Sequence, residues 1–231
     1  MPKTYLVPAD VEKLEEAATF LRDKLLVRLL FRLGCRVSEV VALGVGDVDL
    51  KASTITIVHL KTRLRLLCPK CQARLARYHK FCPGCASPIE GPTVHEQETR
   101  RQRVLPVDRD TLRMLRDFIK RGGPVHRDGK ELLFGIKRHR AWQIVVECAE
   151  KARLGTLVNP ETGKRHRVSP HRLRDAFATH AAQLDSSPDG LRLLQEHLGH
   201  ASFNTTAKYR KVSGREQKAW LQKLWQKDGG A

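Results

Sequence analysis

Apolar side chains recur at helical spacing along most of this chain and alternate in only two stretches. Over residues 9–20, acidic residues crowd the first turn, and Val11, Leu14, Ala17 and Ala18 share one face. That spacing predicts a short amphipathic helix. Residues 22–33 carry Leu25, Leu26, Leu29, Leu30 and Leu33 at i, i+4 spacing, a core helix that Gly34 stops. The next run, Gly34-Cys35-Arg36-Val37-Ser38-Glu39-Val40-Val41-Ala42-Leu43, sets an arginine between two apolar helical segments. Arg36 is expected half buried there, with Glu39 three residues on to pair with it or to orient it.

Residues 53–60 alternate and are β-branched, a strand, and residues 100–107 alternate in the same way as its partner. A cysteine window separates them. Without that window, 54–61 and 101–107 make a plain β-hairpin with Lys61 near its tip. Amphipathic helices are predicted over 108–120 and 140–154, with a loop at 127–130 and a polar, turn-rich segment at 155–170. Residues 169–210 read as three successive short helices, with a long connection at 185–190. A last helix over 215–226 carries Trp220, Leu221, Leu224 and Trp225. The expected architecture is mainly α with a small antiparallel β-hairpin or sheet, an α+β fold.

The 231 residues, 41% of them hydrophobic, suffice for one full core with a small satellite. No run of about 18 apolar residues suggests a membrane span, and the N-terminus lacks an apolar signal core. These features point to an intracellular, cytoplasmic protein. The net charge of +18 changes the picture more. Such an excess repels itself, and a polyanionic partner is its simplest physical reason. Its basic residues, among them Arg63, Arg74, Arg103, Arg138, Lys164 and Arg167, are spread through predicted structure instead of gathered in a tail.

Four of the six cysteines form Cys68-Pro69-Lys70-Cys71 and Cys82-Pro83-Gly84-Cys85. Each pair can place two thiolates in one tight turn, because Pro sets the turn and Gly84 tolerates a left-handed position. Four thiolates make a closed structural Zn2+ site resembling a zinc ribbon, with no open position for catalysis. His79 and His95 are expected to be exposed or hydrogen-bonded, not ligands. Arg74, Arg77, Tyr78 and Lys80 give the insertion a basic face with one aromatic, compatible with phosphate contact or plain solvation. Cys35 and Cys148 sit alone in apolar helical contexts and are expected buried.

The densest chemistry lies in 169–210. His171 and Arg174 share a helix face, His200 follows Gly199 at a helix end, and Tyr209 lies one short helix later. These groups can hold a phosphate, move a proton near neutral pH and attack phosphorus. His171-x-Leu173-Arg174, the following Phe177-Ala178-Thr179-His180, Leu198-Gly199-His200 and Tyr209 resemble the C-terminal signature of the tyrosine recombinase (phage integrase) family. The 34–39 run is similar to that family's first-arginine box, and Lys61 to its β-hairpin lysine. The match spans nearly the whole chain outside 68–85.

The resemblance implies that Tyr209 attacks a scissile phosphate of double-stranded DNA, leaving a 3′-phosphotyrosyl bond and a free 5′-hydroxyl. It requires no ATP, no nucleotide and no catalytic metal. Arg36 and Arg174 would fork onto the non-bridging oxygens, with His200 adding a hydrogen bond. His171 would be the base, Lys61 the acid for the leaving oxygen, and Glu39 the support of Arg36. Lys51 and basic residues near Arg63 compete with Lys61. A homo-tetramer on DNA is the implied assembly, with residues 215–226 docking on a neighbour or on their own core. The family's N-terminal clamp domain has no counterpart in these residues, so the expected layout is a catalytic domain over 1–231 with a zinc-ribbon insertion at 68–85. Two other readings stay open: a topoisomerase-IB-like nicking–closing enzyme, and a non-catalytic DNA-binding regulator on the same fold.

Overall fold

The computed structural model describes residues 3–76, 78–91, 93–159, 162–200, 206 and 209, without the side chains of 59–65 and 94–101. In chain order, the described elements are helix α1 (Pro8–Ala17), α2 (Leu21–Arg32) and α3 (Val37–Val41), then strands β1 (Val48–Asp49), β2 (Thr54–Leu67), β3 (Arg74–Leu75) and β4 (Thr93–Pro106). They continue with α4 (Arg109–Lys120), β5 (Val125–Arg127), β6 (Lys130–Leu132), α5 (Arg138–Lys151), β7 (Leu157–Val158), β8 (Arg165–His166), α6 (Pro170–Leu184) and α7 (Pro188–Leu198). The fold is mostly helical with small antiparallel sheets. The chain divides into two units, Met1–Ile57 with Arg103–Ala231, and Val58–Gln102.

In the larger unit, α2 is the central helix. Leu25, Leu26, Val27, Leu29 and Leu30 are all fully buried, because α1, α4, α5 and α6 pack around it. Each such side chain contributes roughly 1.5–3 kcal/mol by leaving water. The segment expected as one helix over 9–20 stops earlier. Ala18 turns extended after α1, and Phe20, also extended, leads into α2. Helix α4 begins where expected, since the Asp108 carboxylate accepts from the Thr111 amide at 3.0 Å and from its hydroxyl at 2.6 Å. Cys35 and Cys148 are both buried.

Three local readings change. The 127–130 loop is the tip of a β5–β6 hairpin, with Asp128 and Gly129 both at positive φ, as a tight hairpin turn requires. The polar 155–170 segment holds a second hairpin, in which Leu157 faces His166 and Val158 faces Arg165. The long connection at 185–190 is short. Pro188 is already the first residue of α7, and the Ser187 hydroxyl caps the helix by accepting from the Gly190 amide at 3.0 Å.

Strand β2 pairs with β1 and β3, and β4 pairs with β2. Lys61 therefore lies mid-strand, not near a hairpin tip, because β2 continues to Leu67. Its side chain, like those of Arg63 and His95, lies outside the described residues. So does the predicted 215–226 helix.

The smaller unit is built around the cysteines. Among the described residues its buried apolar cluster is Cys68, Leu75 and Cys82, with Leu66, Ala73 and Ile89 against it. The two cysteine turns repeat one another. The Cys68 amide donates to Ala73 O and the Gln72 amide to Cys68 O, while the Cys82 amide donates to Ser87 O and the Ala86 amide to Cys82 O. Gln72 and Ala86, each following the second cysteine of its pair, both have positive φ.

Candidate active site and thiolate centre

The site begins at the end of α2. Gly34 closes the helix at φ +56°, and a Cβ there would lie 2.4 Å from the Phe177 ring of α6. Only glycine lets α6 approach this turn so closely. The approach brings Gly34 O within 2.7 Å of Arg174 Nη1. Arg174 Nη2 donates to Leu198 O at 2.8 Å and approaches His200 Nε2 at 3.1 Å. Arg174 is 3% exposed, so its charge is held by carbonyl dipoles at the ends of two helices.

Arg36 opens α3 in an extended conformation and keeps about a third of its side chain in solvent. Glu39 folds back, accepting from the Arg36 amide at 2.9 Å and from Arg36 Nη1 at 3.1 Å. Its second role was not legible in sequence. Glu39 Oε2 also accepts from Arg103 Nη2 at 2.9 Å, and Arg103 Nη1 donates to His197 O. Burial would raise the Glu39 pKa, but the Arg36 amide and the Arg103 and Arg36 charges outweigh it and hold the carboxyl below its usual range.

Helix α7 ends as the sequence implied. Gly199 sits at φ +64°, its amide donates to Glu196 O, and the His200 amide reaches back to Gln195 O. This closure turns the His200 ring out of the helix. Its Nδ1 lies 2.9 Å from the hydroxyl of Thr206, which is fully buried. A guanidinium only donates, so Nε2 accepts from Arg174 and the ring proton sits on Nδ1. Burial, then the charges of Arg174, Arg36 and Arg103, push the His200 pKa down to about 4. His197 donates from Nε2 to Leu33 O at 3.0 Å and stacks on Phe177.

Tyr209 stacks on His200 with ring centres 6.0 Å apart. Its hydroxyl donates to Asp175 Oδ1 at 3.2 Å. Burial, then the Asp175 charge, raises its pKa to about 12 despite the opposing Arg174 charge. His171, one turn before Asp175, is 73% exposed, with Nε2 3.9 Å from the same oxygen. Arg36, His171, Arg174, Asp175, His200 and Tyr209 all line one cleft of about 750 Å³, with Cys35, Arg138, His166 and Arg172 on its walls. Two guanidiniums, two imidazoles and a phenol around one opening suit a tetrahedral oxyanion and an attack upon it.

Sequence reasoning passed over Arg103, Asp175, His197 and Thr206 as site members. Arg103 lies 64 residues from its partner Glu39 in the chain, and no local period links them. Asp175 was findable in principle, since it sits four residues after His171 on one helix.

The thiolate centre lies in the smaller unit. The four cysteine Sγ atoms all fall within 4.8 Å of one another, with Cys68–Cys85 at 3.7 Å and Cys71–Cys82 at 3.4 Å. A tetrahedral ion bound at about 2.3 Å needs sulfur–sulfur edges of about 3.8 Å, so the four thiols can hold one metal ion. A Cβ on Gly84 would sit 3.0 Å from Ala73 Cβ and 3.4 Å from Cys71 Sγ, and its amide donates to Cys82 Sγ at 3.3 Å. Hydrogen bonding with Ser87, through its side chain and its backbone, brings the Cys85 pKa down to about 6. His79 Nδ1 accepts from the Ala76 amide and is not among the ligand atoms.

Comparison with known proteins converges on one family. The XerD tyrosine recombinase of Neisseria meningitidis serogroup A is 31% identical over 212 residues, covering 87% of this chain and 53% of that protein. The chain spans about half the length of the curated relatives it matches. A crystal structure of XerA recombinase superposes with a TM-score of 0.64 at 20% identity, over 98% of this chain and 67% of that one. A XerH recombinase bound to a palindromic difH substrate superposes at 0.61, also 20% identical, over 98% and 54%. At that identity the two structures speak for the fold alone. The sequence model of the phage integrase family matches residues 5–85 and 89–216, nearly the whole chain. With that match, the chain belongs to the phage integrase family.

Proposed function

We propose that this chain is the catalytic part of a site-specific DNA recombinase that cleaves and rejoins double-stranded DNA through a 3′-phosphotyrosyl intermediate. The observation that carries it is the convergence of Arg36, His171, Arg174, His200 and Tyr209 on one cleft in a member of this family. The +18 charge supplies the affinity for a polyanion.

In this reading Tyr209 Oη attacks the scissile phosphorus. Arg36, partly open to solvent, and the remaining N–H groups of Arg174 hold the non-bridging oxygens as charge builds on them. Glu39 sets the Arg36 guanidinium, and Arg103 fixes Glu39. His200 donates to the same oxygens once its proton moves to Nε2, with the Thr206 hydroxyl then donating to Nδ1. His171 takes up the tyrosine proton. Lys61, on β2, protonates the leaving 5′-oxygen. The bond energy stays in the phosphotyrosine, so rejoining needs no ATP. Exchange between two duplexes breaks four strands with one tyrosine per chain, which supports a homo-tetramer on DNA.

Cys68, Cys71, Cys82 and Cys85 are proposed to hold one structural Zn2+. The all-sulfur donor set, the S–S spacings and the repeated turns support it. Zinc there would fold the insertion at 68–85 and leave the chemistry to the larger unit.

The test is a nicked suicide duplex carrying the target site. A covalent protein–DNA adduct is expected, and Tyr209→Phe abolishes it. No adduct on any cognate duplex overturns the reading in favour of a DNA-binding regulator. Relaxed plasmid without joined products from two sites would assign a topoisomerase-like enzyme instead.

A further inference from the structure

We propose that Asp175 is a catalytic residue of this site, the group that orients Tyr209 and passes its proton toward His171. The inference rests on the proposed function and deepens it. Asp175 follows Arg174 on α6, but the two side chains serve opposite ends of the chemistry. Arg174 is anchored to Gly34 O and Leu198 O, while Asp175 lies between the nucleophile and the candidate base.

The geometry is specific to individual oxygens. Arg172 Nη1 donates to Asp175 Oδ2 at 2.9 Å, which fixes the plane of the carboxylate. Oδ1 then faces both Tyr209 Oη, at 3.2 Å, and His171 Nε2, at 3.9 Å. The other ring beside Tyr209 is His200, whose Nε2 is taken by Arg174 and whose Nδ1 is taken by Thr206. His200 is therefore not placed to receive the phenolic proton. Asp175 is 20% exposed and His171 is 73% exposed, so the line Tyr209, Asp175, His171 runs from half-buried protein to solvent.

The step balances in atoms and charge. As Tyr209 Oη bonds to phosphorus, its proton moves onto Asp175 Oδ1 and onward to His171 Nε2. The bond from phosphorus to the 5′-oxygen breaks, and that oxygen takes a proton from Lys61. A carboxylate alone is a weak acceptor for a phenol, since their ordinary pKa values differ by about 6 units. Transfer onward to an imidazole lowers that gap, which is why the exposed histidine beside Oδ1 matters. Before DNA arrives the same carboxylate keeps the phenol protonated. The charged groups around the pair are His171, Arg172 and Arg174 on α6, His166 on β8, and Arg36 at the start of α3.

Two measurements on the full chain test this. The first is ultraviolet titration of the phenols without DNA, with Tyr209→Phe identifying the Tyr209 component. Asp175→Asn is expected to lower that midpoint, and an unchanged midpoint overturns the contact. The second is the rate of adduct formation at saturating DNA. Asp175→Asn is expected to slow it about a hundredfold at neutral pH, with unchanged DNA affinity and a deficit that shrinks as pH rises. Asp175→Glu, which keeps a carboxylate, recovers part of the rate and controls for folding. Adduct formation in Asp175→Asn at or above the wild-type rate overturns the role while leaving the proposed function standing. No adduct from the wild-type chain overturns both.

Discussion

The two units of this chain are held together by different physics. The larger one buries α2 among four other helices, and its polar groups ride on that core. The smaller one, among its described residues, buries Leu75 and two cysteines, a small apolar cluster. What it has instead is a pair of matched turns aiming four sulfurs at one point. A site that must place several charges to within fractions of an ångström sits in the unit with the solid core. In the other unit the described contacts centre on the four sulfurs, which suits the proposed metal.

The sharpest way to break this contrast is to remove the proposed metal or its ligands. Chelation, or replacement of Cys68 and Cys82 by serine, is expected to unfold the smaller unit. Structural zinc supplies on the order of 10 kcal/mol in such folds. Amide hydrogen exchange is expected to show protection lost over 66–90 and kept in α2. Elemental analysis is expected to find about one zinc per chain; a metal-free, fully protected insertion would end the argument.

Next in size is Glu39→Gln. It leaves the Arg103 guanidinium, 10% exposed, without its carboxylate. A loss of about 3–5 kcal/mol by denaturant unfolding is expected. A negligible loss would mean the site is held by packing alone. Gly199→Ala is expected to cost less, about 1–2 kcal/mol, from left-handed strain at φ +64°. Because a Cβ there also meets Arg103 Nη1 at 3.0 Å, adduct formation should fall along with stability.

The last expected effect is on pH dependence. In the unfolded chain His200 takes a proton near its ordinary value of about 6.5. In the folded protein it does so only at about 4. Between those values the unfolded state binds more protons, so stability falls as pH drops from 6.5 to 4 and this contribution is flat outside that window. His200→Asn should flatten that part of the profile; an identical slope in the variant would assign it to other groups.

Much of this was legible along the chain. Leu25 to Leu33 announced α2, Asp108 announced the start of α4, and Gly199 announced the turn that frees His200. Each is a local signal, carried by residues within one or two helical turns. The strands of the hairpin at Asp128-Gly129 carry no sequence signature, because they are three residues long and mostly exposed, so no alternation marks them. The α6–α7 connection reads longer in the sequence than in the structure, because Pro188 resembles a loop residue there but opens α7.

The sequence alone determined the helical class, the thiolate cluster and the identities of the arginines, histidines and tyrosine around the cleft. Periodicity, cysteine spacing and motif order are properties of neighbours in the chain. Only the tertiary structure decided that Glu39 serves Arg103 as well as Arg36, that Arg174 hangs between Gly34 and Leu198, and that Tyr209 gives its hydrogen bond to Asp175. Those pairings join residues 24 to 140 positions apart. They exist because tertiary packing, such as that of α6 on the α2 turn, brings buried donors within reach of acceptors far along the chain.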